Sequence, residues 1–186
     1  MKIKKLVTNA MLVAMYVVLS LTVTLNLGNM KITFDSLPII LGAALFGPLD
    51  GFIIGFLGSF LNQMLTFGLT ATTVLWVLPA AVRGLLVGLY AKKKGFSMSF
   101  KQTVFITAST ALVTTAINTL VMYIDAKIYG YHSFAYVFGA VIPRIISGVI
   151  VAVVISSILP YVLQPVRKIL GLKTAKKAEK DPWEEK

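Results

Sequence analysis

Two apolar runs joined by a tight turn constrain this chain more than any other feature. The runs 37–46 and 52–60 flank the sequence GPLDG at 47–51, where proline cannot continue a helix and glycine lets the backbone reverse. The pattern predicts an apolar hairpin with a polar tip. Since the first run is shorter than the roughly 20 residues of a straight membrane span, neighbours must cover its ends and its irregular entry at 29–36. We therefore expect a pocket near that entry, on the side of the membrane opposite the Pro48 turn.

Composition places the chain in the membrane. Of its 186 residues 57% are hydrophobic and 13% are charged, which is far more apolar than a soluble domain. The absence of cysteine and the single histidine, His132, exclude disulfides, thiol catalysis and a multi-histidine metal site. The chain contains no GxxxxGK[ST], HExxH or GxSxG motif, so it binds no ATP through a P-loop. We expect one integral membrane domain that is not an enzyme and uses no cofactor.

The formal net charge of +11 is unevenly distributed. Most lysines and arginines fall at 2–5, 92–101 and 167–186, and such clusters mark the cytoplasmic segments of a membrane protein. We interpret them as a topology signal and expect the lipid bilayer, not nucleic acid, as the partner. Because no small-residue cleavage site follows the first apolar run, that run is expected to remain as a helix.

The order of apolar segments predicts an all-α integral membrane protein with six transmembrane helices, cytoplasmic N- and C-termini and a short second helix. The helices are predicted at about 6–25, 37–46, 51–65, 73–90, 102–124 and 137–163. Residues 1–166 then form a membrane binding domain, and 167–186 form a basic cytoplasmic tail whose composition is typical of disorder. Glycines at 51, 55 and 58 are expected to allow close internal packing of the third helix.

Two arginines lie within predicted helices. Arg83 and Arg144 occupy depths at which inserting an arginine costs about 2.5–3.5 kcal/mol, so each must face protein or water and find a partner. The planar guanidinium matches carboxylate and phosphate geometry. We predict that they bind an anionic group, or alternatively that they only support the fold by bonding helix-end carbonyls.

Further candidates are polar or aromatic residues near the predicted outer face. They are Lys31, Asn62, Gln63, Trp76, Asn118, Tyr123 and His132. Amides recognise the polar edges of a ligand, and aromatic faces stack on a flat ring. Each also has an ordinary structural role, as a solvated loop charge, an interhelical hydrogen bond or an interfacial aromatic.

Together these residues predict a binding site open to the outside for a small polar solute. A transporter needs an energy source, and this chain has too few intramembrane acids for an obvious proton relay. A powered partner is therefore expected. The alternatives are a stand-alone carrier, or a membrane enzyme in which Asp35 and Asp125 meet at the outer mouth without a metal or nucleophile.

The hairpin sequence LPIILGAALFGPLDGFIIGFLG and the small pair Ala10-xxx-Ala14 resemble the substrate-binding S components of energy-coupling factor (ECF) vitamin transporters. The resemblance implies a multi-pass protein of the bacterial cell membrane that binds a B-group vitamin or related micronutrient through its outer loops and helices 4 to 6. It also implies docking on a membrane coupling subunit through Ala10 and Ala14, and transport powered by two separate ATPase subunits.

The resemblance leaves the vitamin open. Folate-type members often carry an aspartate in helix 3 and a proline-rich outer loop, whereas this chain continues GSFLNQMLTFGLTATT with Asn62-Gln63 and no proline, which disfavours folate. The two arginines favour pantothenate or folate. The aromatic and amide residues favour a pyridine, pyrimidine or pterin ring.

Overall fold

The computed structural model describes residues 2–27, 30–139 and 141–172, with the backbone alone at 2, 24–27 and 30–32. Within these ranges the chain forms helices and one small antiparallel hairpin. The elements are α1 Lys2–Thr22, β1 Thr24–Leu27, β2 Met30–Thr33, α2 Ser36–Phe46, α3 Pro48–Phe67, α4 Thr73–Lys93, α5 Phe100–Ile128, α6 Phe134–Phe138 and α7 Val141–Leu170.

The β-hairpin differs from the predicted loop. The first helix was expected to reach residue 25, but α1 ends at Thr22 and β1 pairs with β2, placing Thr24 opposite Thr33 and Leu27 opposite Met30. The β-branched run at 22–24 loses rotamer freedom in a helix and suits an extended chain. The hairpin packs beside α7 and leads directly into α2.

The predicted turn between the two apolar runs is confirmed. A single residue, Gly47, separates α2 from α3, and its φ of 100° is one that side chains disfavour. Pro48 then opens α3 at a position where its missing N–H costs nothing. Ile39, Ile40 and Ala43 are at most 1% exposed, so α2 lies inside the bundle, which explains why it is apolar on every side.

Small residues bring α3 and α4 close together, as the glycine spacing predicts. A Cβ atom added to Gly51 would lie 2.5 Å from the Gly84 carbonyl oxygen, and one added to Gly55 would meet the Ala80 carbonyl. Gly58 lies against the Tyr16 ring of α1. A larger side chain at any of these positions would force the helices apart.

The helical fold predicted from the sequence is confirmed. Among the described residues, the segments Ile3–Thr22, Thr73–Lys93, Phe100–Ile128 and Phe134–Leu170 are long and apolar enough to cross a bilayer. Six spans and cytoplasmic termini remain predictions.

The last helix is longer than the sequence predicts. α7 continues through Pro160 and Pro165 to Leu170, past the expected helix end at 163 and the expected domain boundary at 166. Proline is tolerated in membrane helices where neighbouring groups satisfy the freed backbone. The rest of the predicted tail, 173–186, lies outside the described residues.

Candidate binding site

Two adjoining cavities, of about 140 and 330 Å³, lie at the end of the bundle opposite the Pro48 turn. They share part of their lining, which comes from β2, α4, α5 and α7 and consists of Thr33, Arg83, Thr114, Asn118 and Arg144. Ser36, at the start of α2, lines the smaller cavity, and Asp35 lines the larger one. The pocket expected near the entry to α2 is therefore present, and the predicted residues Arg83, Asn118 and Arg144 meet in it.

Arg83 reaches this space from α4. Its Nη2 atom donates to the Thr114 hydroxyl of α5 at 2.7 Å, and Asp35 is close enough to interact with it electrostatically. Its Nε atom is buried and has no hydrogen-bond partner among the described residues. One donor of a buried cation is therefore left for another group.

Arg144 enters from α7 on the other side of the same space. Its Nη2 atom donates to the sulfur of Met122, which is a weak acceptor. Its Nη1 atom is buried and makes no hydrogen bond within the described part of the chain. A buried donor without a partner costs about 1–3 kcal/mol, and more when it is charged. Both arginines thus present an unsatisfied cationic donor beside the shared cavities.

The larger cavity has an amide and aromatic wall, as the sequence predicts. Asn62 and Gln63 from the end of α3 and Trp76 from α4 line it. Ser20 of α1 donates to the Asn62 side-chain carbonyl at 2.8 Å, which holds that amide in place. The wall thus combines hydrogen-bonding edges with one indole face.

Asp125 organises the rim of the site in a way that the sequence did not reveal. The sequence places it at the outer end of the fifth helix and suggests a meeting with Asp35, but its side chain is buried and accepts hydrogen bonds from Thr72, Trp76 and Tyr131. The hydrogen bond that Tyr131 donates raises the pKa of its phenol above the ordinary value. Asp125 therefore joins the start of α4, the end of α5 and the loop after it.

Two predicted residues, Tyr123 and His132, are not among the residues that line the two cavities, and a third, Lys31, is described only in its backbone. Tyr123 and His132 pack edge to face with ring centroids 5.2 Å apart, and neither belongs to the described lining of the two cavities. The backbone of Lys31 lies in β2, but its side chain lies outside what the structure describes. Ligand contact by these residues remains a prediction.

Sequence reasoning missed a set of small and hydroxyl-bearing residues in the smaller cavity. They are Thr107, Thr114, Thr115, Ser147 and Gly148. The sequence did carry a signal for them, because residues three or four apart share a helix face. The threonines follow this spacing, and Ser147 lies three residues after Arg144. The hydroxyls of Thr114, Thr115 and Ser147 are easily overlooked because they also bond to their own helix, as Thr115 does to the Ala111 carbonyl at 2.8 Å. The Thr107 hydroxyl is buried and makes no hydrogen bond among the described residues.

The alanine pair of α1 lies on the outside of the described structure. Ala10 and Ala14 are both exposed, while Leu12 and Tyr16 point into the core at 6% exposure each. The pair is flanked by exposed apolar side chains such as Met11. This face is therefore free to meet lipid or another membrane protein.

A family model for the substrate-specific component of ECF transporters matches residues 4–162. The chain belongs to this family. The chain is accordingly a multi-pass membrane protein of this family, as the sequence predicts. Its structure resembles the solved S component of a bacterial ECF transporter, with a TM-score of 0.62 over 91% of this chain and 99% of that one. At 20% identity, this likeness shows a common fold.

Curated relatives add family context but cover less of the chain. A UPF0397 protein of Lactobacillus johnsonii is 33% identical over 97 residues, 50% of each protein. One from Streptococcus thermophilus is 29% identical over 97 residues, 52% of each. The S component thus spans about half the length of the curated relatives it matches.

Proposed function

We propose that this S component captures a small anionic micronutrient from outside the cell and delivers it to a membrane coupling subunit driven by two ATPase subunits. The candidates are folate, pantothenate and a pyridine or pyrimidine vitamin. The observation that carries the proposal is the pair Arg83 and Arg144, which line the same two cavities and each hold a buried donor without a partner among the described residues.

The electrostatics of the cavity support an anion. A carboxylate or phosphate accepts hydrogen bonds from two directions at once, as the approach of the arginines from α4 and α7 requires. Asp35 lines the larger cavity as well, and a carboxylate accepts hydrogen bonds. The ligand that suits this lining carries an anionic group together with a hydroxyl, amide or amine donor.

Trp76, Asn62 and Gln63 support a flat or polar second part of the ligand. Indole stacks on planar rings, and the two amides offer both donors and acceptors to ring edges. All three line the larger cavity, whose volume of about 330 Å³ admits more than a simple anion. A ring with polar edges linked to a carboxylate or phosphate satisfies the whole lining.

Native mass spectrometry of the chain purified alone in detergent tests the proposal. A copurified species of a few hundred daltons carrying a carboxylate or phosphate is expected. A thermal-shift panel of B-group vitamins then ranks candidates, because a ligand present at 100 times its Kd stabilises by about 2.7 kcal/mol. A panel in which neutral and cationic compounds stabilise as well as anionic ones would contradict the anion assignment.

Intrinsic fluorescence gives an independent measurement. The chain has two tryptophans, and Trp183→Phe leaves Trp76 as the only one. Since Trp76 lines the larger cavity, its emission should change when the identified ligand is added and stay constant with a neutral analogue of the same ring.

Delivery is supported by the exposed Ala10 and Ala14, where small residues allow close helix approach. Uptake into vesicles should require the coupling subunit and ATPases together with this chain. Uptake by the chain alone would instead support a stand-alone carrier.

A further inference from the structure

A third cavity, of about 450 Å³, lies at the opposite end of the bundle from the binding site. Apolar side chains of Met98, Leu159 and Leu163 line it together with the basic residues Arg167 and Lys168. It opens where α7 ends, next to the segment that joins α4 to α5. The proposed solute pathway gives this cavity no role.

The cations of this cavity lack an acidic partner in the described part of the chain. Its carboxylates there are Asp35, Asp50 and Asp125, and none of them lines the cavity. The Nη2 atom of Arg167 donates to the Ala44 carbonyl at 2.9 Å and to the Phe96 carbonyl. These bonds fix the guanidinium in position but do not neutralise it.

The surroundings of the cavity are strongly basic. Lys92 and Lys93 end α4, Lys101 begins α5, and Arg167 and Lys168 end α7. The positive-inside rule predicts that this end faces the cytoplasm, where the leaflet carries anionic lipids that basic segments attract. The cavity combines positive charge with an apolar wall at the ends of the predicted membrane helices.

We propose that this cavity binds an anionic phospholipid of the cytoplasmic leaflet. Its phosphodiester lies between Arg167 and Lys168, and the first carbons of its acyl chains lie against Leu159 and Leu163. A soluble phosphate ion would satisfy the two cations but would leave the apolar wall facing water. A phospholipid satisfies both, which is why the geometry favours it.

Native mass spectrometry of the full chain, delipidated in detergent, tests this with phosphatidylglycerol and phosphatidylcholine as probes. Wild type should retain phosphatidylglycerol under conditions that remove phosphatidylcholine. The double variant Arg167→Gln/Lys168→Gln should lower phosphatidylglycerol occupancy at least about tenfold, since each basic residue near an anionic headgroup contributes to its binding. The matched control Lys92→Gln/Lys93→Gln removes the same charge from exposed positions outside the lining. It should lower occupancy far less than the double variant, because these lysines add only to the general attraction of the basic surface.

A charge-neutral variant keeps the test valid if loss of Arg167 disturbs the fold. Gln164 is exposed and lines the cavity, so Gln164→Trp should obstruct it and lower occupancy while the thermal unfolding temperature is unchanged. Equal loss in the Lys92/Lys93 control, equal retention of both lipids, or full occupancy in Gln164→Trp would overturn the proposal. Displacement of the lipid by millimolar inorganic phosphate would show an ion site instead and overturn it too.

Discussion

The two ends of this bundle bury charge in opposite ways. At the Pro48 end, Asp50 is 5% exposed, and its carboxylate accepts from the Asn9 amide at 2.7 Å and pairs with Lys5 at 2.8 Å. At the other end, Arg83 and Arg144 each keep a buried nitrogen without a hydrogen-bond partner in the described structure. The Asp50 charge is both paired and hydrogen-bonded, whereas each arginine keeps one donor without a partner, Arg83 in spite of its electrostatic interaction with Asp35.

The difference distinguishes a charge that supports the fold from charges that are candidates for binding a ligand. Burying an ion is unfavourable unless it is paired and hydrogen-bonded, so an incompletely satisfied cation beside a cavity persists only where something else compensates it. Asp50 fastens α3 to α1 through Asn9 and Lys5, so its charge is compensated by the protein itself. The arginines line cavities large enough to admit a ligand, and in the proposed function a ligand anion completes their bonding.

The largest expected effect is the loss of ligand affinity when Arg83 or Arg144 is replaced. Arg83→Lys and Arg144→Lys should each weaken ligand binding by about 10- to 100-fold, because a charged hydrogen bond contributes about 1.5–3 kcal/mol and lysine cannot reproduce the planar fork. Occupancy by the copurified ligand in native mass spectra measures this. Arg167→Lys, the same change at the other end, is the control and should leave occupancy unchanged. Unaltered occupancy in both test variants would reduce the arginines to a structural role.

The second prediction concerns α1, which is expected to bind the coupling subunit and not the solute. Ala14→Trp should lower association with that subunit about tenfold, since an oversized side chain in a close helix contact costs about 1–3 kcal/mol, and Ala10→Trp should act alike. Ligand occupancy should stay at the wild-type level. The matched control is Ala116→Trp, at an exposed alanine of α5. If it disrupts association equally, the effect is not specific to α1.

The fold was largely predictable because its signals are local. The turn at Gly47 and Pro48, the close approach of Gly51 to α4 and the position of the pocket all follow from residue type and spacing. The end of α7 was not predictable, since Pro160 and Pro165 stop helices in water but are tolerated where neighbouring groups satisfy the backbone.

Site residues were predictable only where placing them in a membrane helix has a high free-energy cost. Arg83 and Arg144 are conspicuous because a charged side chain within a membrane helix is costly and needs a partner. Thr107 is not, because threonine in a helix usually bonds to its own backbone. That the Thr107 hydroxyl is instead buried without a partner among the described residues depends on long-range packing. The pairing of Tyr123 with His132 likewise joins a helix to a loop, and sequence spacing carries no information about such contacts.

The third prediction concerns Asp50, whose carboxylate is paired and hydrogen-bonded within the protein. Asp50→Ala should lower the free energy of unfolding by about 1–3 kcal/mol, because the Asn9 amide loses its acceptor, while ligand occupancy stays constant. Thermal unfolding in detergent measures the loss. Asp50→Asn keeps an acceptor for Asn9 but removes the ion pair with Lys5, so it should lie between wild type and Asp50→Ala. A parallel fall in occupancy would mean that the two ends are not independent.

The smallest effect is expected at the rim, where Asp125 supports the site without belonging to the described cavity lining. Asp125→Asn keeps the shape of the side chain but offers fewer acceptor positions to Thr72, Trp76 and Tyr131, so one donor is left unsatisfied. A hydrogen bond to a charged group contributes about 1.5–3 kcal/mol, but Asp125 does not line the cavities, so only part of this loss should reach the ligand and binding should weaken roughly two- to tenfold. In the Trp183→Phe background, Trp76 emission should shift even without ligand.

Tyr131→Phe is the matched control for this rim, because it removes one donor and leaves the Asp125 carboxylate to Thr72 and Trp76. Its Trp76 emission should stay close to wild type. The pKa of Tyr131 is raised above its ordinary value, so its bond to Asp125 is fully present below about pH 10 and is lost as the pH rises through the folded-state pKa. Emission should therefore be constant from pH 6 to 9 in wild type. If Asp125→Asn leaves the spectrum unchanged as well, packing against the cavity wall, and not Asp125, positions the indole.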